Sequence, residues 1–331
     1  MHLNEKIYIA GHEGLVGSAL VRLLKTRGFQ HLIIRKKDEL DLRNQKDVNN
    51  FFLEEKPDFV FLAAALVGGI KANNDFPASF LYDNLMIQTN VMHAAHAYGV
   101  KKLLFLGSSC IYPRLCEQPI KEEYLMTGSL EATNEAYAIA KISGIKLAQA
   151  YHKQYGSNFI CAMPTNLYGP GDTFDKERSH VIPALLMKIH EAKEKNIPSI
   201  ALWGTGNALR EFLYADDLAV ALFILMGRYN GSEIINVGSG QEISIARLAT
   251  MICEIVNYPG VITFDSGQPD GTPRKILDSS RINQLGWQAE TNLRDGLEKA
   301  YAWYLKKLKG EHNETHNLAR EPFMQRETHC I

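Results

Sequence analysis

"KIYIAGHEGLVGSALVRLLKTRG", residues 6–28, decides the fold. A short apolar run, "IYIA", ends at Gly11. Gly14 and Gly17 follow at the same spacing, and apolar residues then recur at a helical period. A strand that turns through glycines into a helix opens a dinucleotide-binding βαβ unit. The glycines permit the tight turn, the close approach of a pyrophosphate and the close packing of helix on strand. The helix N-terminus then presents unpaired N–H groups to an anion. A glycine pattern alone is weak. Its position at the first βα junction of the chain favours a cofactor over a merely tight turn.

Outward from this stretch the alternation continues. "HLIIR" is predicted as the second strand, "NQKDVNNFFLEEK" as a helix and "DFVFLAAA" as the third strand. A long helix is predicted over about 78–98, then "KKLLFLGSS", a helix over about 134–155 and the strand "NFICAMP". Apolar runs separated by helical periodicity mean a parallel sheet covered on both faces. The expected fold is therefore α/β: a Rossmann-type doubly wound parallel sheet with a smaller C-terminal α/β substrate domain. We expect residues 1–170, with segments returning at about 213–240, to form the dinucleotide-binding domain. Residues of about 171–212 and 241–310 form the second domain, with a helix at about 183–195 and short strands such as "SIALWG". The polar stretch 311–331 lacks periodicity and is expected to be disordered.

The 331 residues are 46% hydrophobic and 22% charged with formal net charge -1, a soluble-globular balance that gives no electrostatic case for nucleic acid or a membrane surface. No apolar run is long enough to span a bilayer. The five cysteines are scattered and show no CxxC spacing. That argues against a disulfide framework or a metal site and suits a reducing cytoplasm.

Two further stretches carry chemistry. "NEAYAIAKISG" puts Tyr137 and Lys141 four apart on one helical face. A tyrosine can protonate a carbonyl oxygen during hydride transfer, and a lysine ammonium beside it lowers its pKa. In "FLGSSCIYP", residues 105–113, Ser108 ends a strand and can hydrogen-bond the same carbonyl. Cys110 lies two residues on, which in an extended segment puts it on the same side as Ser108. It is a proton carrier or a packed core thiol. At the end of the second strand stand Arg35 and Lys36, cations that suit the 2′-phosphate of NADP, or else form a solvated turn.

These motifs, with "LAAALVGGIKANN", "MPTNLYGPGD", "SHVIPALL" and "GTGNALREFLYADD", resemble the extended short-chain dehydrogenase/reductase family. More closely, they are similar to its members that epimerise GDP-4-keto-6-deoxy-D-mannose at carbons 3 and 5 and reduce carbon 4 with NADPH. The resemblance implies a homodimer built through two long helices per subunit, and a GDP-linked 4-keto sugar as substrate. It implies Ser108, Tyr137 and Lys141 as the reductase triad, with Cys110 and His180 as the epimerase acid–base pair. It places Gly11, His12, Glu13, Gly14, Leu15, Val16 and Gly17 on cofactor-binding segments. Ala63, Ala64, Leu106, Gly107, Ser108, Ser109, Lys141, Pro164, Thr165, Asn166, Leu167 and His180 join them. Lys188, Trp203, Arg210 and Asp270 fall on substrate positions, and no metal is expected.

Two departures stand out: Glu13 and Leu66 occupy positions where the family often carries basic residues. The alternatives are a carbon 4 reductase or epimerase–reductase on another GDP-linked keto sugar (a deoxy or heptose derivative), and a non-catalytic NADP sensor. The basic turn predicts that NADPH is used better than NADH, and that Arg35→Ala selectively raises KM for NADPH. Comparing kcat/KM for the two cofactors checks this; equal values would reduce the turn to surface.

Overall fold

The computed structural model describes residues 1–176, 179–267 and 272–310, so Asp270 and the stretch 311–331 lie outside the described residues. The chain opens with β1 (Ile7–Ala10), α1 (Leu15–Thr26), β2 (Leu32–Ile33), α2 (Gln45–Glu55) and β3 (Phe59–Leu62). There follow α3 (Ile70–Asp75), α4 (Pro77–Ala97), β4 (Lys102–Leu106), α5 (Glu135–Tyr155), β5 (Phe159–Pro164) and β6 (Asn166–Tyr168). The second half runs α6 (Val181–Glu194), β7 (Ser199–Trp203), β8 (Leu209–Tyr214), α7 (Ala215–Arg228), β9 (Ile235–Val237) and β10 (Glu242–Ser244). It ends with α8 (Ile245–Val256), β11 (Val261–Asp265), β12 (Arg274–Lys275), α9 (Ser280–Gln284) and α10 (Leu293–Leu308).

The main sheet has six parallel strands in the order β2-β1-β3-β4-β5-β9. Its residues alternate between two apolar layers, as the period of a strand requires. Tyr8, Val60, Leu103, Phe105 and Cys161 face one core with residues of α2, α4 and α5. Ile7, Ile9, Phe61, Leu104 and Ile160 face the other with residues of α1 and α7. This is the Rossmann-type doubly wound sheet expected from the sequence. A third core joins α6, α8 and α10 to β7 and β8. There β8 lies between β10 and β12 and also pairs with β6, while β7 pairs with β11.

The second strand is shorter than the expected "HLIIR". Pairing with β1 stops at Ile33. Beyond it the Arg35 guanidinium folds back, donating to the Ile34 carbonyl at 2.8 Å and pairing with Glu55.

Two close approaches fix the site. In the first turn, a Cβ on Gly17 would stand 2.0 Å from the Gly11 carbonyl oxygen, and Gly11 itself has φ +84°. Neither position tolerates a side chain. In α5, a Cβ on Gly144 would stand 2.5 Å from the Phe105 ring of β4 and 2.8 Å from Gln88 Oε1 of α4. Gln88 spends its amide on the Ala140 carbonyl at 2.6 Å. Gly144→Ala should therefore destabilise the protein. The helix-propensity gain of about 1 kcal/mol is outweighed by overpacking of about 1–3 kcal/mol. Denaturant unfolding measures the balance; a midpoint at or above wild type would mean α5 can back away from the sheet.

Candidate active site

The carboxyl ends of β1, β3, β4 and β5 converge at the point where the strand order reverses, between β1 and β3. Ligands of open α/β sheets bind in the crevice there. Gly11, His12, Glu13 and Gly14 form the turn after β1, and Leu15, Val16 and Gly17 open α1. Ala63 and Ala64 follow β3; Leu106 ends β4 and Gly107, Ser108 and Ser109 follow it. Pro164 ends β5, and Thr165, Asn166 and Leu167 run on into β6. Gly14 caps α1 with extended backbone and lays no side chain over the helix end, so the helix N-terminus stays uncovered. Lys36 forms no ion pair among the described residues, whereas Arg35 is held by Glu55.

Lys141 is only 3% exposed. Its ammonium donates to the Leu106 carbonyl at 2.8 Å, 4.8 Å from the centroid of Phe105 and 5.7 Å from that of Tyr137. Burial pushes its pKa down to about 8. The same burial, with Cys110 nearby, pushes the Tyr137 phenol well up, so Tyr137 holds its proton. The Tyr137 ring meets Phe80 of α4 edge-on at 6.2 Å.

The segment after β4 is not extended as the sequence suggested. Ser109–Ile111 is a 3-10 turn, with Ser108 as its cap. The Ser108 hydroxyl accepts from the Cys110 N–H at 3.3 Å. Alternation along a strand therefore does not explain the position of Cys110. The turn curls the thiol back toward Ser108. Cys110 is 8% exposed and still lines a small cavity of about 50 Å³. Burial raises its thiol pKa, while Lys275, Ser108 and Lys141 pull it down.

Lys275 is the residue the sequence reading missed. It sits in β12, in register with Arg210 of β8, and lines the same cavity as Cys110. Its pKa is lowered by burial; Cys110 acts in the opposite direction, and Arg210 adds to the lowering. A lysine directly before the apolar pair Ile276–Leu277 was the one available signal.

The structure thus gathers Ser108, Tyr137, Lys141 and Lys275 about Cys110, with Arg210 beside Lys275 in register. His180 arrives separately, at the residue before α6, where its side chain makes no capping bond. It is exposed, and desolvation by the neighbouring protein lowers its pKa. Trp203 ends β7 and is 71% exposed, so it is not core. Lys188 of α6 reaches the same strand, donating to the Ala201 carbonyl at 2.6 Å.

A doubly wound sheet with a serine, a tyrosine and a buried lysine at its carboxyl edge defines a dinucleotide-dependent oxidoreductase of the extended short-chain type. The chain belongs to the NAD dependent epimerase/dehydratase family, whose model matches residues 7–238, and within it to the GDP-L-fucose synthases. It is 56% identical over 303 residues to GDP-L-fucose synthase 1 of Arabidopsis thaliana, covering 92% of this chain and 94% of that one. It is 50% identical to GDP-L-fucose synthase of Escherichia coli (strain K12), covering 91% and 97%. It also resembles the structure of MlghC, the GDP-mannoheptose C4 reductase from Campylobacter jejuni with NADP bound. That match has a TM-score of 0.84 and 41% identity over 92% of this chain and 99% of that one.

Removing the charge of Lys275 should raise the Cys110 thiol pKa further. Lys275→Met is expected to shift the pH profile of Cys110 alkylation, followed by peptide mass spectrometry, to higher pH, and Lys275→Arg to restore it. Superimposable profiles for all three proteins would mean the two groups do not sense each other.

Proposed function

We propose that this protein is an NADPH-dependent epimerase–reductase that converts GDP-4-keto-6-deoxy-D-mannose to GDP-L-fucose, with epimerisation at carbons 3 and 5 and reduction at carbon 4. The observation that carries this reading is one cleft that holds a proton donor for a ketone, Tyr137, and a cavity-lining thiol, Cys110, beside the same lysine. The glycine turn fits a dinucleotide, since Gly11 and Gly17 leave no room for a Cβ and Gly14 leaves the end of α1 open to phosphate. NADPH, when bound, supplies the hydride for carbon 4. Residues 1–170 and about 213–240 hold the cofactor, and about 171–212 and 241–310 hold the sugar nucleotide.

The protein's own residues divide the proton work. Carbons 3 and 5 flank the ketone, so loss of either proton gives an enolate. Cys110 and His180 remove and return these protons from opposite faces of the ring. The Ser108 and Tyr137 hydroxyls donate to the ketone oxygen and stabilise the enolate as an oxyanion site does. In the reduction step the Tyr137 O–H bond breaks and its proton goes to the carbon 4 oxygen. Lys141 orients Tyr137 and holds the nicotinamide ribose. Arg210, Lys188 and Trp203 receive the nucleotide diphosphate and base, and Lys275 adds positive charge beside the thiol.

The 56% and 50% identities to the two synthases named above, against 41% to the C4 reductase, favour the fucose reading, and the pair Cys110 and His180 favours epimerisation over reduction alone. The exposed Tyr82 of α4 and the exposed Ile139 and Tyr155 of α5 support a homodimer through these helices. No described helix is long and apolar enough to cross a membrane. The free thiols of Cys110, Cys116, Cys161 and Cys253 support a cytoplasmic home.

The test uses the 4-keto substrate in deuterated water with oxidised cofactor, so that reduction is blocked. Wild type should exchange the protons at carbons 3 and 5. Cys110→Ser should fold, bind NADPH and exchange about 10²–10⁴-fold more slowly, the range of a lost general base. Rapid exchange in the variant would return Cys110 to core packing.

A further inference from the structure

The cavity beside Cys110 contains two buried acceptor oxygens, Glu131 Oε2 and Asn134 Oδ1, that make no hydrogen bond among the described residues. Both line the cavity with Cys110 and Lys275. Glu131 is partly engaged: Thr133 Oγ1 donates to its Oε1 at a long 3.5 Å, and Arg114 Nε stands 3.3 Å from Oε2 without hydrogen-bond geometry. Asn134 immediately precedes α5, yet its side chain does not cap that helix. Lys275 senses the Glu131 charge, which favours its ammonium, but makes no hydrogen bond to either residue among the described residues. A buried acceptor without a donor is costly, and such a group in a native cavity calls for a ligand that supplies one.

Resting on the functional reading above, we propose that Glu131 and Asn134 are the acceptor pair for the hydroxyl on carbon 3 of the sugar and select substrates that carry it. The placement supports that carbon. Asn134 lies one turn before Tyr137, which serves the oxygen on carbon 4, and Glu131 one turn earlier still. Cys110, in the same cavity, serves the carbon 3 proton. A hydroxyl between these two groups belongs to carbon 3. Two acceptors also suit a hydroxyl whose carbon inverts, since epimerisation carries it from one side of the ring to the other. Sites built to bond a hydroxyl discriminate strongly against analogues that lack it, because their polar groups are then left unpaired.

The experiment pairs protein variants with a substrate deletion. Initial rates of NADPH oxidation give kcat/KM for the parent GDP-4-keto-6-deoxy sugar and for its 3-deoxy analogue. Asn134→Ala and Glu131→Ala should each lower kcat/KM for the parent by about 10- to 100-fold and leave the analogue within about 3-fold of wild type. Arg114→Ala, which removes the ion pair from its other end, should leave both substrates near wild type. Equal losses on both substrates would assign these residues to structure, and no loss on the parent would leave them without a ligand; either overturns the proposal. Should Glu131→Ala not fold, Asn134→Ala decides alone. Turnover of neither substrate by wild type would sink the functional reading, and this inference with it. Normal wild-type turnover with indifferent variants sinks only the inference.

Discussion

The buried ammonium of Lys141 is the constraint on which the site depends. A lysine 3% exposed needs compensation for lost hydration, and the Leu106 carbonyl at the end of β4 supplies it at 2.8 Å. That bond ties the first half of α5 to the last residue of the central strand. It can form only because Gly144, one turn further along α5, lets the helix settle onto Phe105. Gln88 secures the other side of α5 through the Ala140 carbonyl. Tyr137 is carried on the same helix and inherits its position from these contacts.

Burial sets the electrostatics in opposing directions. It lowers the pKa of Lys141 and Lys275 and raises those of Tyr137 and Cys110. The sign for Lys141 has a consequence for stability. Its folded pKa of about 8 lies below the ordinary lysine value, so the folded state binds fewer protons than the unfolded state between the two. Stability from this group therefore rises as pH increases through that window and is lowest where the lysine is charged in both states. A bound anion would reverse the deficit, which couples the site's stability to its ligand.

Much of this was legible in residue order. The glycine turn, the alternating cores and the Tyr137–Lys141 spacing are local patterns, and each reads at the period of its own element. The misses have one physical origin. Lys275 stands beside Arg210 through pairing of β12 with β8, and no local pattern encodes the register of strands distant in sequence. The curl of Ser109–Ile111 depends on the Ser108 hydroxyl accepting from Cys110, a side-chain choice that an apolar run conceals. The oxygens of Glu131 and Asn134 that lack a hydrogen bond become visible only once a cavity closes over them.

What joins the two halves of the site is a second buried charge, Glu211. It is fully buried in β8, with its carboxylate accepting from Gly240 N–H at 2.7 Å and Leu277 N–H at 3.0 Å. Its backbone carbonyl accepts from Thr165 and Asn166, on the segment that leaves β5. Successive strand residues face opposite sides. With Glu211 turned into this hub, Arg210 must turn the other way, and Lys275, its partner in register, turns with it. One inward carboxylate thus orients two cations. It also links the segment beside the cofactor crevice to the strand that carries Lys275 to Cys110. A fold that works at carbons 3, 4 and 5 of one sugar needs its segments held in fixed relation, and Glu211 ties β8 to the loop after β9, to the residues after β12 and to the segment after β5, through two backbone N–H groups and the Thr165 and Asn166 side chains.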